Sequence, residues 1–257
     1  MKLITKSLFP FIFLSIATYF VIKGTKSSKA FDKTLENGLN VIKKYAKLEE
    51  IDLGEYKKIT IMKVLPFYTK AYNIENLGYL SIFYGKFGAM QIFSFHFSPF
   101  EKDFPILIID YMYILKKRQA LFETLLATLS EDNDAYKSFV SEFEKLKEVY
   151  SELKDWVMSP KWEDERIVVN MRKEGNDSQE DKFTSLFEDV IDTYFKNIIK
   201  MPQLSEDEKK KKNQLIKEFS DLLVKNGGVA VNFLKTSLKQ DVLNKLFGEV
   251  FFGYETQ

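Results

Sequence analysis

The sequence predicts one α/β domain in which helices pack against a mostly antiparallel sheet and cover both of its faces. Strand-like segments rich in Phe, Tyr, Ile and Leu cluster between residues 78 and 115, and segments with helical spacing lie before and after them. Several of these strands lack the polar alternation expected of a face in contact with water. A chain of 257 residues that is 45% hydrophobic can bury the core that such a fold requires.

The composition excludes several classes of chemistry. The chain has no Cys, so disulfides, thiolate metal sites, iron–sulfur clusters and cysteine nucleophiles are excluded. His96 is the single histidine, which excludes a His-rich metal site. The balance of 38 Lys and Arg against 37 Asp and Glu gives no overall attraction to nucleic acid. We therefore expect no metal and no nucleic-acid partner, and chemistry that uses carboxylates, Tyr, Lys, Ser or the one His.

Residues 1–30 have the pattern of a targeting segment. The apolar run Leu8–Ile22 is shorter than the roughly twenty residues of a membrane span and suits a signal peptide. Ser28 and Ala30 form a small-x-small cleavage site before Phe31. A signal peptide cut just before Phe resembles the first half of the two-part presequences of plastids of secondary origin. The alternatives are an uncleaved signal anchor or a secreted protein.

Residues 31–257 are predicted to form a single domain, in the order helix, strands, helices. The predicted strands are Gly78–Phe87, Ala89–Phe97, Pro105–Leu115 and Arg166–Met171, while Gln119–Leu129 is either a strand or a helix. The predicted helices are Phe31–Leu48, Asp132–Trp156, Phe183–Ile199 and Leu238–Phe252. A further helix is predicted to start at a capping box of Ser205 and Glu208 and to end at Gly227-Gly228. We expect Lys173–Asp181 to be a polar loop and Lys209–Lys212 to lie on a solvated helix face.

Asp110 lies in the middle of an otherwise apolar strand. Because side chains alternate between the two faces of a strand, it shares its face with Ile106, Ile108, Met112 and Ile114. An ionised carboxylate on an apolar face costs several kcal/mol unless it is paired. The expected response is a raised pKa, which leaves a protonated acid able to donate near neutral pH. The alternatives are an Asp at a strand end, or one bonded to a buried Tyr or a backbone amide.

His96 lies on the preceding strand and shares a face with Met90, Ile92 and Ser94. A lone His among Phe residues is usually a histidine of the core or its rim, and the alternative is a catalytic group. No Asp or Glu stands beside it at the spacing of metal ligands.

Three segments resemble the ferredoxin-dependent bilin reductases, over roughly Leu65 to Phe252. The segment Asp103–Asp110 is similar to a family motif in which Pro precedes the central catalytic Asp, although Ile108 replaces the family Gly. Arg166–Arg172 is similar to a strand whose final Arg helps to hold a substrate propionate, although Lys173 replaces the following Pro. Val242–Gly248, running on to Phe251 and Phe252, is similar to the closing helix.

The resemblance implies a monomeric three-layer α/β/α sandwich that holds an open-chain tetrapyrrole between its sheet and its C-terminal helices. It implies that Asp110 is the catalytic acid and that Arg172 binds a propionate. The family's second catalytic group, a His, falls near Phe93 or Ser94, close to His96, and its polar pair before the closing helix falls near Thr236 and Ser237. The resemblance also implies that electrons come singly from reduced ferredoxin, with no bound flavin, nicotinamide or metal.

The predicted function is therefore the reduction of biliverdin or a dihydrobiliverdin, as in phycobilin biosynthesis, by proton-coupled single-electron steps. One alternative is a reductase of red chlorophyll catabolites. Another is a non-catalytic protein that binds a tetrapyrrole or is tethered to a membrane, because no carboxylate stands near Thr236 and Ser237. Reduced ferredoxin is not expected outside a cell, so the signal peptide of such an enzyme favours a plastid location.

Overall fold

The computed structural model describes residues 28–130, 133–157, 167–226 and 229–254. Most of the predicted targeting segment, the Gly227-Gly228 helix end and Arg166 lie outside these residues. The described strands are β1 (Leu48–Ile51), β2 (Lys58–Ile61), β3 (Leu65–Ile74), β4 (Gly78–Phe87), β5 (Met90–Ser98), β6 (Ile106–Ile114), β7 (Lys117–Leu125), β8 (Lys154–Asp155) and β9 (Ile167–Asn176). The helices are α1 (28–42), α2 (Asp134–Val149), α3 (Glu180–Ile198), α4 (Glu206–Asn226), α5 (Val229–Lys235) and α6 (Gln240–Lys245), which continues into a π-helical segment, Leu246–Phe251.

The strands form one antiparallel sheet in the order β1-β3-β4-β5-β6-β7-β9-β8, and β2 pairs with β3 beside β1. All of these described strand pairs are antiparallel, and β3 to β7 follow one another as a meander. Short turns connect consecutive strands because an antiparallel pair needs no crossover. The meander therefore places the turns β2–β3, β4–β5 and β6–β7 at one end of the sheet and the connections β3–β4 and β5–β6 at the other.

Helices cover both faces of the sheet and form the two outer layers of a sandwich. On one face, α1, α2 and α3 bury a large cluster of Phe and Tyr side chains of the central strands. On the opposite face, α4, α5, α6 and the π-helical segment pack against a second apolar cluster. The predicted α/β sandwich with a mostly antiparallel sheet is confirmed. Within the described part of the chain, no helix is both long enough and apolar enough to cross a membrane.

Several predicted elements agree with the structure, and others are wrong. The predicted helix Asp132–Trp156 is too long, because α2 ends at Val149 and Lys154–Asp155 form β8. β4 has the predicted bounds, and Gln119–Leu129 is mainly a strand rather than a helix. The predicted loop Lys173–Asp181 is wrong, because its first residues extend β9 and α3 begins at Glu180. Lys212 was expected in solvent, yet its side chain is completely buried and its Nζ donates to the carbonyl oxygens of Phe104, at 2.6 Å, and Ala127.

Candidate functional site

Rows of paired residues across the second face of the sheet position the candidate site. In the central row, Ser94 of β5 pairs with Asp110 of β6, and the row continues through Leu121 to Arg172. A neighbouring row carries His96 of β5, Ile108 of β6 and Glu123 of β7. Directly opposite residues of an antiparallel pair project to the same face. The side chains of both rows therefore point toward the C-terminal helices.

The C-terminal layer, α4 to α6 and the π-helical segment, covers one row from Ser81 to Ile108 and leaves the other row partly open. Ser81, His96 and Ile108 are buried beneath it. Ser94, Asp110 and their neighbours toward the β4–β5 turn are only partly buried, and this partly open set is Phe83, Ile92, Ser94, Asp110 and Met112. Asp110 therefore lies among mostly apolar side chains on a part of the sheet face that the C-terminal helices cover incompletely.

The environment of Asp110 favours its protonated form. Burial raises the pKa of this carboxyl from its usual value to about 6. The Ser94 hydroxyl donates a hydrogen bond to Oδ1, which opposes the rise, and the nearby charge of Glu123 adds to it. A carboxyl with this pKa holds its proton in an appreciable fraction of molecules near neutral pH and can donate it to a basic ligand.

His96 lies beside Asp110 on the same face but under the C-terminal segment. Its ring stacks on Phe252 at 5.5 Å between centroids and meets the edge of Phe251 at 5.5 Å. Burial lowers the pKa of His96 to about 4, so its ring is neutral at physiological pH. Nδ1 is buried and has no hydrogen-bond partner among the described residues. A neutral imidazole can accept or share a hydrogen bond, but it does not supply a proton as an imidazolium.

Arg172 forms an ion pair on the same face that the sequence did not predict. Its Nη2 donates to Oε1 of Glu123 at 2.9 Å, and the two side chains are only 12% and 14% exposed. The buried Nε of Arg172 has no partner within the described residues. The sequence analysis missed Glu123. Like Asp110, this carboxylate alternates with apolar residues on one face of its strand, here Leu121 and Leu125, and that pattern could have identified it.

Thr236 and Ser237 do not lie near the Asp110 carboxyl. The Ser237 hydroxyl accepts a hydrogen bond from the backbone amide of Met62 at 2.8 Å, in the β2–β3 turn. Thr236 is exposed, and its hydroxyl lies 3.4 Å from that of Ser237. The strand β3 that follows this turn lies three strands from β6, or about 14 Å at the usual spacing. The structure thus brings together Ser94, His96, Asp110 and Arg172 on one face and leaves Thr236 and Ser237 outside.

A known structure shares this architecture. The crystal structure of selenomethionine-labelled phytochromobilin synthase from tomato in complex with biliverdin matches with a TM-score of 0.70. The match covers 88% of this chain and 84% of that chain at 12% sequence identity. No protein-family model and no curated protein sequence matches. At this identity the likeness shows the fold alone.

The chemistry of the site follows from its own residues. Asp110 offers a transferable proton beside partly open apolar side chains, and Arg172 adds a guanidinium that is 12% exposed and has one buried N–H without a partner among the described residues. With Asp110 protonated, the charges of Arg172 and Glu123 cancel, so the open face is close to neutral. No group of His, Asp and Glu in the described ranges is arranged to hold a metal ion. The arrangement suits a flat, largely apolar ligand that accepts a proton and carries a carboxylate.

Proposed function

We propose that this protein reduces an open-chain tetrapyrrole, biliverdin or a dihydrobiliverdin, with electrons from reduced ferredoxin. The observation that carries the proposal is the Asp110 carboxyl, whose pKa is raised to about 6 on a partly open apolar face. The fold supports it, because the matching tomato structure is a complex with biliverdin. Ferredoxin as donor, a monomeric state and a plastid location stay predictions from the sequence.

Each two-electron reduction requires two electrons and two protons. Two molecules of reduced ferredoxin are oxidised, each giving one electron to the bilin. Asp110 transfers its proton to the bilin as an electron arrives, and the carboxylate is then reprotonated from solvent. The second proton comes from water, since the neutral His96 carries no extra proton to give.

Arg172 is the candidate for binding a bilin propionate. Its buried Nε–H has no partner within the described residues, so a carboxylate oxygen that displaced the covering side chains would satisfy a donor that Glu123 does not use. Arginine suits this role because its planar fork presents several donors to a carboxylate. The pair with Glu123 holds the guanidinium in place on the sheet before a ligand arrives.

Replacing the Asp110 carboxyl tests the proposal directly. We expect Asp110→Asn to bind biliverdin with nearly unchanged affinity and to lower turnover with reduced ferredoxin by at least about 100-fold, because the amide cannot donate the catalytic proton. Absorption spectra of the complex and of its product measure both quantities. Asp52→Asn, the same change at an exposed turn, is the matched control and should turn over normally. Normal turnover by Asp110→Asn would refute the role of the carboxyl.

A non-catalytic bilin-binding protein is the second candidate function. It is favoured by His96, which is neutral and stacked under Phe252, and by Glu123, which is paired with Arg172; among the described residues of the site this leaves Asp110 as the group placed to donate a proton. A wild-type complex whose spectrum never changes with reduced ferredoxin would identify a binder. The absence of any complex with biliverdin would exclude both functions.

A further inference from the structure

The turns at one end of the sheet expose apolar side chains. Met62 and Val64, in the β2–β3 turn, are 56% and 73% exposed. Ile114 and Leu115, at the β6–β7 turn, are 38% and 41% exposed. The β4–β5 turn lies between them and is joined to the second turn by a hydrogen bond of 2.8 Å from the Leu115 amide to the carbonyl of Ala89. We call these three turns the tip edge, consisting of residues 62–64, 88–89 and 114–117.

The connections at the opposite end of the sheet show the reverse pattern. The β3–β4 turn exposes Glu75 and Asn76, while its Leu77 is buried. The β5–β6 connection buries both of its aromatic residues, Phe100 and Phe104. Among the described turns of the meander, exposed apolar side chains therefore occur at one end. Outside the meander, Val149 and Val157 are also exposed, so the distribution is one-sided within the meander.

The backbone holds these side chains outward at a conformational cost. Met62, Lys63 and Leu115 have φ angles of 52°, 61° and 56°, in the left-handed region that side chains with a Cβ disfavour. The Met62 amide is fixed by the Ser237 hydroxyl, and the Leu115 amide by the β4–β5 turn. Tight hairpin turns require such conformations, and the two hydrogen bonds fix the backbone that carries the exposed side chains.

Lysines accompany the apolar residues of the tip edge. Lys63 and Lys116 are exposed, and neither forms an ion pair with any residue that the structure describes. Helix α1 also begins at this end, because its Asp32 pairs with Lys86, two residues before Gly88. The part of the chain that precedes residue 28, with its apolar run Leu8–Ile22, therefore connects to the fold beside the tip edge.

We propose that the tip edge docks on the surface of an anionic lipid bilayer. The apolar side chains enter the boundary between headgroups and acyl chains, and the lysines meet the lipid phosphates. The edge runs from β2 to β7, or about 24 Å at the usual strand spacing. A bilayer suits this surface because the apolar residues stand on separate protruding turns with lysines beside them. The proposal is independent of the bilin chemistry.

Single labels can locate the contact, because the chain contains no Cys. An environment-sensitive fluorophore is placed on Val64→Cys, Leu115→Cys or Ile199→Cys in the full chain. Ile199 is 44% exposed and lies two residues before Met201, which contacts Lys102 of the β5–β6 connection at the opposite end of the sheet. With phosphatidylserine-containing vesicles, we expect a blue shift and brighter emission from the first two labels alone. Equal responses at all three positions, or none at Val64 and Leu115, would overturn the proposal.

A set of substitutions tests whether the tip edge contributes affinity. The combined variant Met62→Asn, Val64→Ser and Leu115→Asn removes the apolar groups, and Asn tolerates the left-handed backbone conformation at two of the positions. We expect at least about tenfold weaker co-sedimentation with phosphatidylserine-containing vesicles, since three apolar side chains no longer leave water. Ile199→Asn should bind as the wild type does. Unchanged binding by the combined variant, or equal wild-type binding to pure phosphatidylcholine vesicles, would contradict the proposal.

Discussion

Asp110 and Ser94 form a pair whose members favour opposite protonation states of the carboxyl. The partly open apolar face penalises the carboxylate, while the Ser94 hydroxyl stabilises it by donating to Oδ1. Burial is the larger effect, because the resulting pKa of about 6 lies above the usual value of 3.8. A proton donor needs this balance, since a fully solvated Asp would lose its proton before a ligand arrived.

The raised pKa also has a consequence for stability. The folded protein holds the Asp110 proton more tightly than the unfolded chain, so folding is penalised as the pH rises from about 4 to about 6. Asn carries no such penalty. We predict that Asp110→Asn increases the free energy of unfolding by on the order of 2 kcal/mol above pH 7 and has little effect near pH 4. Urea denaturation at both pH values measures the difference, and a gain that is the same at both would contradict the assigned cause.

Lys212 shows why burial of a single residue can escape a sequence argument. The run Lys209–Lys212 has the composition of a solvated face, and Lys209 does pair at the surface with Glu101. Lys212 lies on the buried side of α4, with Nζ 3.9 Å from Oδ1 of Asp103, and burial lowers its pKa to about 7. Its partners are carbonyl oxygens of two distant connections, which no local pattern reveals.

At the scale of elements, the strands with the bulkiest buried residues were predictable and the others were not. β4, β5 and β6 agree with the prediction within about one residue, because Gly78, the Gly88 turn and the Pro-containing connection 99–105 separate runs of Phe, Ile and Leu. β3 was missed in the sequence. On the face that α4 to α6 cover, its positions after Phe67 hold the small residues Thr69 and Ala71, while bulky Tyr side chains lie on the face that α1 to α3 cover. β9 was predicted too short, since its polar end is held by tertiary pairing with β7 and β8.

A small set of contacts holds the π-helical segment Leu246–Phe251 and Phe252, here called the C-terminal segment, on the face of the sheet that carries Asp110. The hydroxyl of Tyr79 donates to the carbonyl of Val250 at 2.8 Å, and that of Ser81 donates to the carbonyl of Phe251 at 2.8 Å. The chain then turns at Gly253, whose φ is 70°. This attachment positions Phe252 over His96, so it decides which part of the sheet face stays covered.

Gly253 allows a direct test of that attachment. A Cβ at this position would lie 2.6 Å from the ring of Tyr79, whereas a Cβ at Gly88, which also has positive φ, would contact nothing within 4 Å. We predict that Gly253→Ala lowers the free energy of unfolding by about 2–4 kcal/mol, from steric overlap added to backbone strain. Gly88→Ala should cost only about 1–2 kcal/mol, from strain alone. Denaturant titration compares them, and equal losses would show that the C-terminal segment does not pack on Tyr79.

At the scale of the whole molecule, the layers and the central acid were predictable, but the partners of the site were not. Because side chains alternate between the two faces of a strand, the sequence identified Asp110 as a carboxylate on an apolar face. The Ser94 hydrogen bond and the Arg172–Glu123 pair depend on the register of three strand pairs, which the sequence does not encode locally. Thr236 and Ser237 were placed near the site by resemblance, and the structure holds them against the β2–β3 turn.

Helix α1 completes the layer on the face opposite the site. Phe31 is completely buried among Tyr84, Phe93 and Tyr113, with ring centroids 5.2–6.1 Å away. The next turn adds a hydrogen bond of 2.8 Å between the hydroxyls of Thr34 and Thr184. A cut that removes α1 would therefore expose the aromatic core of the central strands.

These contacts limit how many N-terminal residues can be removed without loss of the fold. We expect Phe31→Ala to lower the free energy of unfolding by about 3–5 kcal/mol, because it leaves a cavity in an aromatic cluster. Lys33→Ala, on the same helix with a side chain that is 62% exposed, should change it by less than about 0.5 kcal/mol. Because the fold requires Phe31, N-terminal sequencing of the mature protein should find a first residue no later than Phe31. A mature chain that begins after residue 42 would show that α1 is dispensable and that the sheet is covered by other means.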